Sequence, residues 1–239
     1  MARMTLDELV SQLRAAYGSA LRSVVLYGSA AAGERDPKRS DYNVLVIVDS
    51  LDASRLAAAS AAARAWAEAG NPAPLTLTTS EWRGSADIFP MEYADILERH
   101  RVLYGEPPFE GIRVDPRDLR LQLEQEAMGK LIKLRQGLLA AGDDSGRQIE
   151  LLAASASAIM IILRAFVRLQ GKTAPKDNLA LVDEASRFAG FDGAPFTRVV
   201  RHVRGEGEIK SAEAGEVLSG YLRGMEGLVG YLDRFQPAD

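Results

Sequence analysis

The sequence predicts an α+β chain in two parts: a mixed sheet with helices over residues 1–105, then an all-helical bundle over 117–236, with a linker at 106–116. Three observations carry this reading. Two short β-branched runs, Arg22–Tyr27 and Tyr42–Val48, bracket a polar loop. The segment Gly105–Pro116 holds three prolines and two glycines and has no periodicity, as a domain boundary does. Beyond it, apolar residues recur only at helical spacing.

In chain order, Thr5 and Glu8 form a capping box before Leu6, Leu9, Val10 and Leu13, so a first helix runs to about Tyr17. Arg22–Tyr27 is a strand that ends at Gly28. Ala30, Ala31 and Ala32 suit a short helix directly after that turn. Tyr42–Val48 is almost uninterruptedly apolar, which is expected of a strand covered on both faces. Ala53–Ala69 reads as a helix stopped by Gly70, Asn71 and Pro72, and Pro74–Thr79 as a third strand. Ser80–Arg83 is a turn or short helix, Ile88–Arg99 a helix with Pro90 near its start, and Arg101–Tyr104 a last short strand. In the second part, helices are expected over Arg117–Leu139, Ile149–Leu169, Ala180–Ala189, Phe196–Arg204 and Ala214–Phe235. The second of these is apolar on nearly all faces, as the centre of a bundle would be.

Composition narrows the function classes. The chain has 239 residues and a formal net charge of -4, which argues against broad electrostatic attraction to nucleic acid. With 0 cysteines it has no disulfide framework, no thiolate metal site and no thiol nucleophile. The N-terminus lacks the apolar core of a signal peptide, and Leu151–Leu163 is too short a run to cross a bilayer. A soluble cytoplasmic protein with no membrane partner is expected, and heavy use of Arg and Ala suggests a bacterial source.

The informative string is VVLYGSAAAGERDPKRSDYNVLVIV, residues 24–48. A strand delivers the chain to Gly28, where backbone can approach a ligand closely. Ser29 follows with a hydroxyl and an N–H, and a helix N-terminus there would favour a phosphate. Asp41 and Asn43 lie two residues apart at the start of the next strand, so they share a face. A pair of oxygen donors beside a phosphate cradle suits a Mg²⁺–nucleotide site.

This order of strand, Gly-Ser, short helix, loop, Ser-Asp-x-acid and apolar strand resembles the signature of the polymerase-β-like nucleotidyltransferase superfamily. It is most similar to the small prokaryotic branch of minimal and aminoglycoside nucleotidyltransferases, several of which carry a helical C-terminal domain. The resemblance implies a nucleotidyltransferase-like first domain in which Gly28 and Ser29 hold the phosphates of a nucleoside triphosphate. It makes Asp41 and Asn43 the catalytic and metal-binding pair for Mg²⁺, and the helical domain one wall of an acceptor pocket.

Three departures weaken the step to catalysis. The family's second acid is Asn43, which brings no negative charge to a metal. The third strand, Pro74–Thr79, has no acid to activate an attacking hydroxyl. Ala32 stands where the family has an arginine. Glu81, Asp87, Glu92 and Asp95 are the acids that could stand in, but Glu81 sits past the strand's end, and Glu92 and Asp95 read as solvated or capping acids on a helix. Elsewhere, Arg164, Arg168 and Lys172 share a helix face that reads as a solvated exit from a buried helix. His100 and His202 are too isolated for a zinc site. Trp66 and Trp82 read as packing, and Ser155 and Ser157 as bonded back to helix carbonyls.

The reading is therefore a nucleotidyltransferase-like protein with a degenerate metal site and weak or no nucleotidyl transfer, retaining a nucleotide cradle. An active Mg²⁺-dependent transferase acting on a hydroxyl acceptor, either small molecule or macromolecule, is the first alternative. A non-catalytic dimerisation or partner-binding module is the second, and the apolar central helix leaves room for a homodimer.

Overall fold

The computed structural model describes residues 4–31, 33 and 41–236. The chain divides into two compact units, Met1–Val114 and Asp115–Asp239.

The first unit is a four-stranded mixed sheet with helices on both faces. Its strands are β1 (Leu21–Tyr27), β2 (Asn43–Val48), β3 (Leu75–Thr78) and β4 (His100–Gly105), in the order β3-β2-β1-β4. β1 is antiparallel to both neighbours, β2 and β4, while β3 runs parallel to β2. The parallel pair is joined by a helical crossover, as parallel strands require. The helices are α1 (Leu6–Tyr17), α2 (Ala53–Glu68), α3 (Thr79–Gly84) and α4 (Pro90–Glu98). Thr5 and Glu8 make the reciprocal capping box that starts α1. Thr78 and Glu81 make a second one at α3, so of the turn or short helix expected over Ser80–Arg83 the helix is what forms.

Alternation along β1 and β2 sorts the core into two layers. Val24, Leu26, Val44, Val46 and Val48 face α1 and α2, where Leu9, Leu13 and Trp66 meet them. Val25, Leu45 and Ile47 face Trp82 of α3 with Tyr93 and Ile96 of α4. The second layer is pinned by aromatic groups. Trp82 stacks on Tyr93 with centroids 4.2 Å apart, and the Tyr93 hydroxyl donates to the Trp82 carbonyl at 2.7 Å. Burial pushes the Tyr93 phenol up to about 12, with Asp87 adding to the rise and a hydrogen bond to Ser85 opposing it. The folded phenol thus holds its proton where the unfolded one loses it. The stability this contributes is full below about pH 10 and is lost as pH rises through about 12. Alkaline unfolding followed by circular dichroism should show a decline over that window that is shallower in Tyr93→Phe. An identical decline would remove Tyr93 as its cause.

The second unit is helical among its described residues: α5 (Pro116–Ala141), α6 (Ser145–Leu169), α7 (Asn178–Ala189), α8 (Ala194–Arg204) and α9 (Ala214–Arg234). Asp115, Asp144 and Asp177 cap α5, α6 and α7 through their carboxylates. α6 is long and apolar enough to cross a membrane by composition alone, yet it packs against α5, α7, α8 and α9. It is not buried all round, since Ile161 is exposed. Arg164 is a structural residue that holds the α6–α7 connection through the Pro175 carbonyl at 2.7 Å and Asn178 Oδ1 at 2.7 Å. Ser155 bonds back to the Leu152 carbonyl at 2.9 Å, while Ser157 is exposed.

Candidate nucleotide site

The residues singled out between the first two strands lie where β1 ends and β2 begins. Gly28 has φ +75°, the left-handed turn conformation that glycine takes without strain. Its N–H donates to the Arg99 carbonyl at 3.0 Å, so the pairing of β1 with the chain entering β4 runs one residue past Tyr27. That amide is consequently spent on the fold. The expected short helix does not follow. Ser29–Ala31 form turns, with Ala31 N–H bonded to the Gly28 carbonyl at 3.1 Å and Gly33 N–H to that of Ala30 at 3.4 Å. Bonds spanning three residues make successive tight turns, not an α-helical N-terminus with its row of free amides. Ser29 is half-buried in the first turn. Ala32 and Ser40 lie outside the described residues.

β2 opens at Asn43, with Asp41 exposed just before it. Tyr42 goes to the α2 side: its ring stacks on Trp66 at 5.9 Å, and its N–H is held by Asn71 Oδ1 at 3.0 Å. Asn43 therefore faces the α4 side, abreast of Tyr27 on β1, which is itself paired with His100 on β4. No acid occupies that row of the sheet.

An acid arrives instead from a helix. A Cβ built on Gly28 would sit 3.5 Å from Asn43 Nδ2 and 3.7 Å from Asp95 Oδ2, so the Asn43 amide and the Asp95 carboxylate converge on the turn. Asp95 is ion-paired with Arg99 one helical turn on, and Arg99 Nε donates to its Oδ1 at 3.1 Å. Burial raises the Tyr27 phenol, and the charges of Asp95 and Glu92 raise it further, so both carboxylates act on this corner. The other candidate acids are placed elsewhere. Glu81 Oε2 accepts the Thr78 N–H at 2.7 Å as part of the α3 cap, which holds its carboxyl below the usual range. Asp87 is exposed.

The sequence carries part of the signal for Asp95. Asp95 and Arg99 are spaced i, i+4 on the helix that follows an acid-free strand. Spacing does not reveal that α4 folds back over the sheet and carries Asp95 to the end of β1. The histidines are structural: His100 Nδ1 lies 2.9 Å from the Ile96 carbonyl, and His202 Nδ1 accepts the Ile209 N–H at 3.3 Å.

Among the described residues, the donors at this corner do not make up a Mg²⁺ centre. Asp41 supplies one carboxylate and Asn43 none, and among the described residues no group of three His, Cys, Asp or Glu side chains is placed to hold a metal. A cleft of about 490 Å³ opens at the other end of the sheet, lined by Arg22, Asp49, Trp82, Tyr104 and Glu106, away from these residues.

The sequence matches no known protein family and no curated protein. The structure is similar to spectinomycin adenyltransferase AAD(9) from Enterococcus faecialis, solved with ATP and spectinomycin. The TM-score is 0.61 over 96% of this chain and 98% of that one, at 13% sequence identity. The chain has a nucleotidyltransferase-like fold. At that identity the likeness concerns the fold alone. Within it, the Gly28 turn and the start of β2 lie together, and the acid beside them comes from α4.

Proposed function

We propose that this chain is a nucleotidyltransferase-like protein that binds a nucleoside triphosphate and transfers its nucleotidyl group weakly or not at all. The observation that carries the reading is the row Asn43–Tyr27–His100, which has no acid, beside an Asp95 that is ion-paired with Arg99. Asp41 alone supplies too little charge to hold Mg²⁺ against water. Gly28 and Ser29 form the phosphate turn, with Ser29 contributing the hydroxyl and N–H. Support for a nucleotide, and for a small-molecule acceptor if transfer survives, comes from the ATP and spectinomycin bound by the structural neighbour.

Asn43→Asp tests this. It adds a second carboxylate two residues from Asp41, and Mg²⁺·ATP affinity measured by calorimetry should rise by about tenfold, or 1.4 kcal/mol. Failure of both proteins to bind ATP in Mg²⁺ or Mn²⁺ would exclude a nucleotide function and leave a non-catalytic interaction module. Efficient transfer by the unmodified chain would also overturn the reading.

One observation favours the second reading, an active transferase: the Asp95 carboxylate reaches the Gly28 turn. In that case Asp95 is the acid that stands in for the missing one, and Asp95→Asn abolishes the transfer while leaving ATP binding in place.

A further inference from the structure

α5 has two apolar faces, and only one is used within its unit. Leu119, Leu123, Ala127, Leu131 and Leu134 are buried, against α6 and α9. On the opposite side Leu121, Met128, Ile132 and Leu139 are exposed, Leu121 by 63% and Leu139 by 85%. At 3.6 residues per turn these four fall within about 40° of one another, a stripe about 27 Å long. Four large exposed apolar side chains aligned on one helix face, with polar residues on either edge, are a surface of the kind that marks an interaction site.

The order of the stripe identifies its occupant. The four positions are symmetric about residue 130: Leu121 and Leu139 lie nine residues to either side, Met128 and Ile132 two. When a second copy of α5 is laid antiparallel, Leu121 meets the partner's Leu139 and Met128 meets the partner's Ile132, and both contacts occur twice. This self-complementarity is the condition for a closed two-fold interface. The flanks agree. A two-fold axis brings the same edge of each helix together. On one edge this sets Glu124 opposite the partner's Arg135, twice and with opposite charge; on the other it sets Gln125 opposite the partner's Gln136. Within the chain Glu124 pairs with Arg120 at 2.8 Å and Arg135 with Glu226 at 2.8 Å, so both charges are already held at the edges of the stripe.

We infer that α5 is a homodimerisation surface, in which two chains associate through antiparallel α5 helices about a two-fold axis at residue 130. The interface is independent of the nucleotide reading.

The chain has no cysteine, so introduced thiols report without background. Full-length Met128→Cys and Ile132→Cys variants are prepared separately, then mixed in equal amounts and oxidised. The mixed disulfide should exceed either homodimeric disulfide severalfold, because position 128 lies level with the partner's 132. In sedimentation, the unmodified chain should shift with concentration toward twice its 25.9 kDa mass. Ile132→Glu with Leu139→Glu should remain at the single mass with an unchanged circular dichroism spectrum. A chain that stays monomeric at all concentrations, a dimer that survives the double substitution, or a preference for 128–128 links would each overturn the inference.

Discussion

Trp82→Ala should destabilise the first unit by about 3–5 kcal/mol, the range for deleting a buried indole. Trp82 is 1% exposed and is the hinge of the α3–α4 layer. Its ring lies on Tyr93, its indole N–H donates to the Pro108 carbonyl at 2.6 Å, and its own carbonyl accepts the Tyr93 hydroxyl. The substitution opens a cavity, removes an aromatic stack worth about 0.5–1.5 kcal/mol, and strips a partner from Pro108. Against a total stability of about 5–15 kcal/mol, the unit would lie near its unfolding threshold. Both tryptophans, Trp66 and Trp82, belong to the first unit, so the variant keeps Trp66 as a single fluorophore reporting on it. Urea unfolding followed at Trp66 should show the midpoint falling; a loss under about 1 kcal/mol would mean that the layer repacks without the indole.

Gly105→Ala should have a comparable effect for a different reason. Gly105 closes β4 at φ +77°, and a Cβ there would lie 1.9 Å from the Arg22 carbonyl oxygen and 2.9 Å from its carbon. The left-handed backbone alone costs a side-chain residue about 1–3 kcal/mol. The clash adds to this because the obstacle is backbone of the central strand, which cannot rotate aside. Ser23 pairs with Gly105 and Val24 with Tyr104, so relief requires parting β1 from β4 at that end. Amide exchange should accelerate at Ser23, Val24 and Tyr104. Unchanged protection there, with unchanged stability, would refute the geometry of this strand end.

Much of the fold was legible in the sequence because its cues are local. Apolar runs with β-branched residues gave β1 and β2, Thr5 with Glu8 gave the start of α1, and Gly70 with Pro72 marked where α2 stops. The Gly28–Asn43 juxtaposition was legible too, since adjacent antiparallel strands bring their facing ends together. The helix expected after Gly28 was not borne out. Alanine propensity is a weak preference, and the turn's hydrogen bonds close at three residues instead. Asp95 was illegible in its role because its position depends on how α4 packs on Trp82 and Val25, a tertiary fact that no spacing encodes. The second face of α5 was obscured by its first: with apolar residues on opposite sides, the helix has little net amphipathic direction, and only burial separates core from surface.

The bond from the Gly28 amide to the Arg99 carbonyl sets how the turn can respond to a ligand. The first residue of the turn is locked to the sheet, so its ordering was completed on folding and adds nothing to the entropy cost of binding. The other side of the turn is set as well, because the Ala31 N–H closes on the Gly28 carbonyl. The turn proposed to meet a phosphate is therefore shaped by the sheet on one side and by its own hydrogen bond on the other, before any ligand arrives.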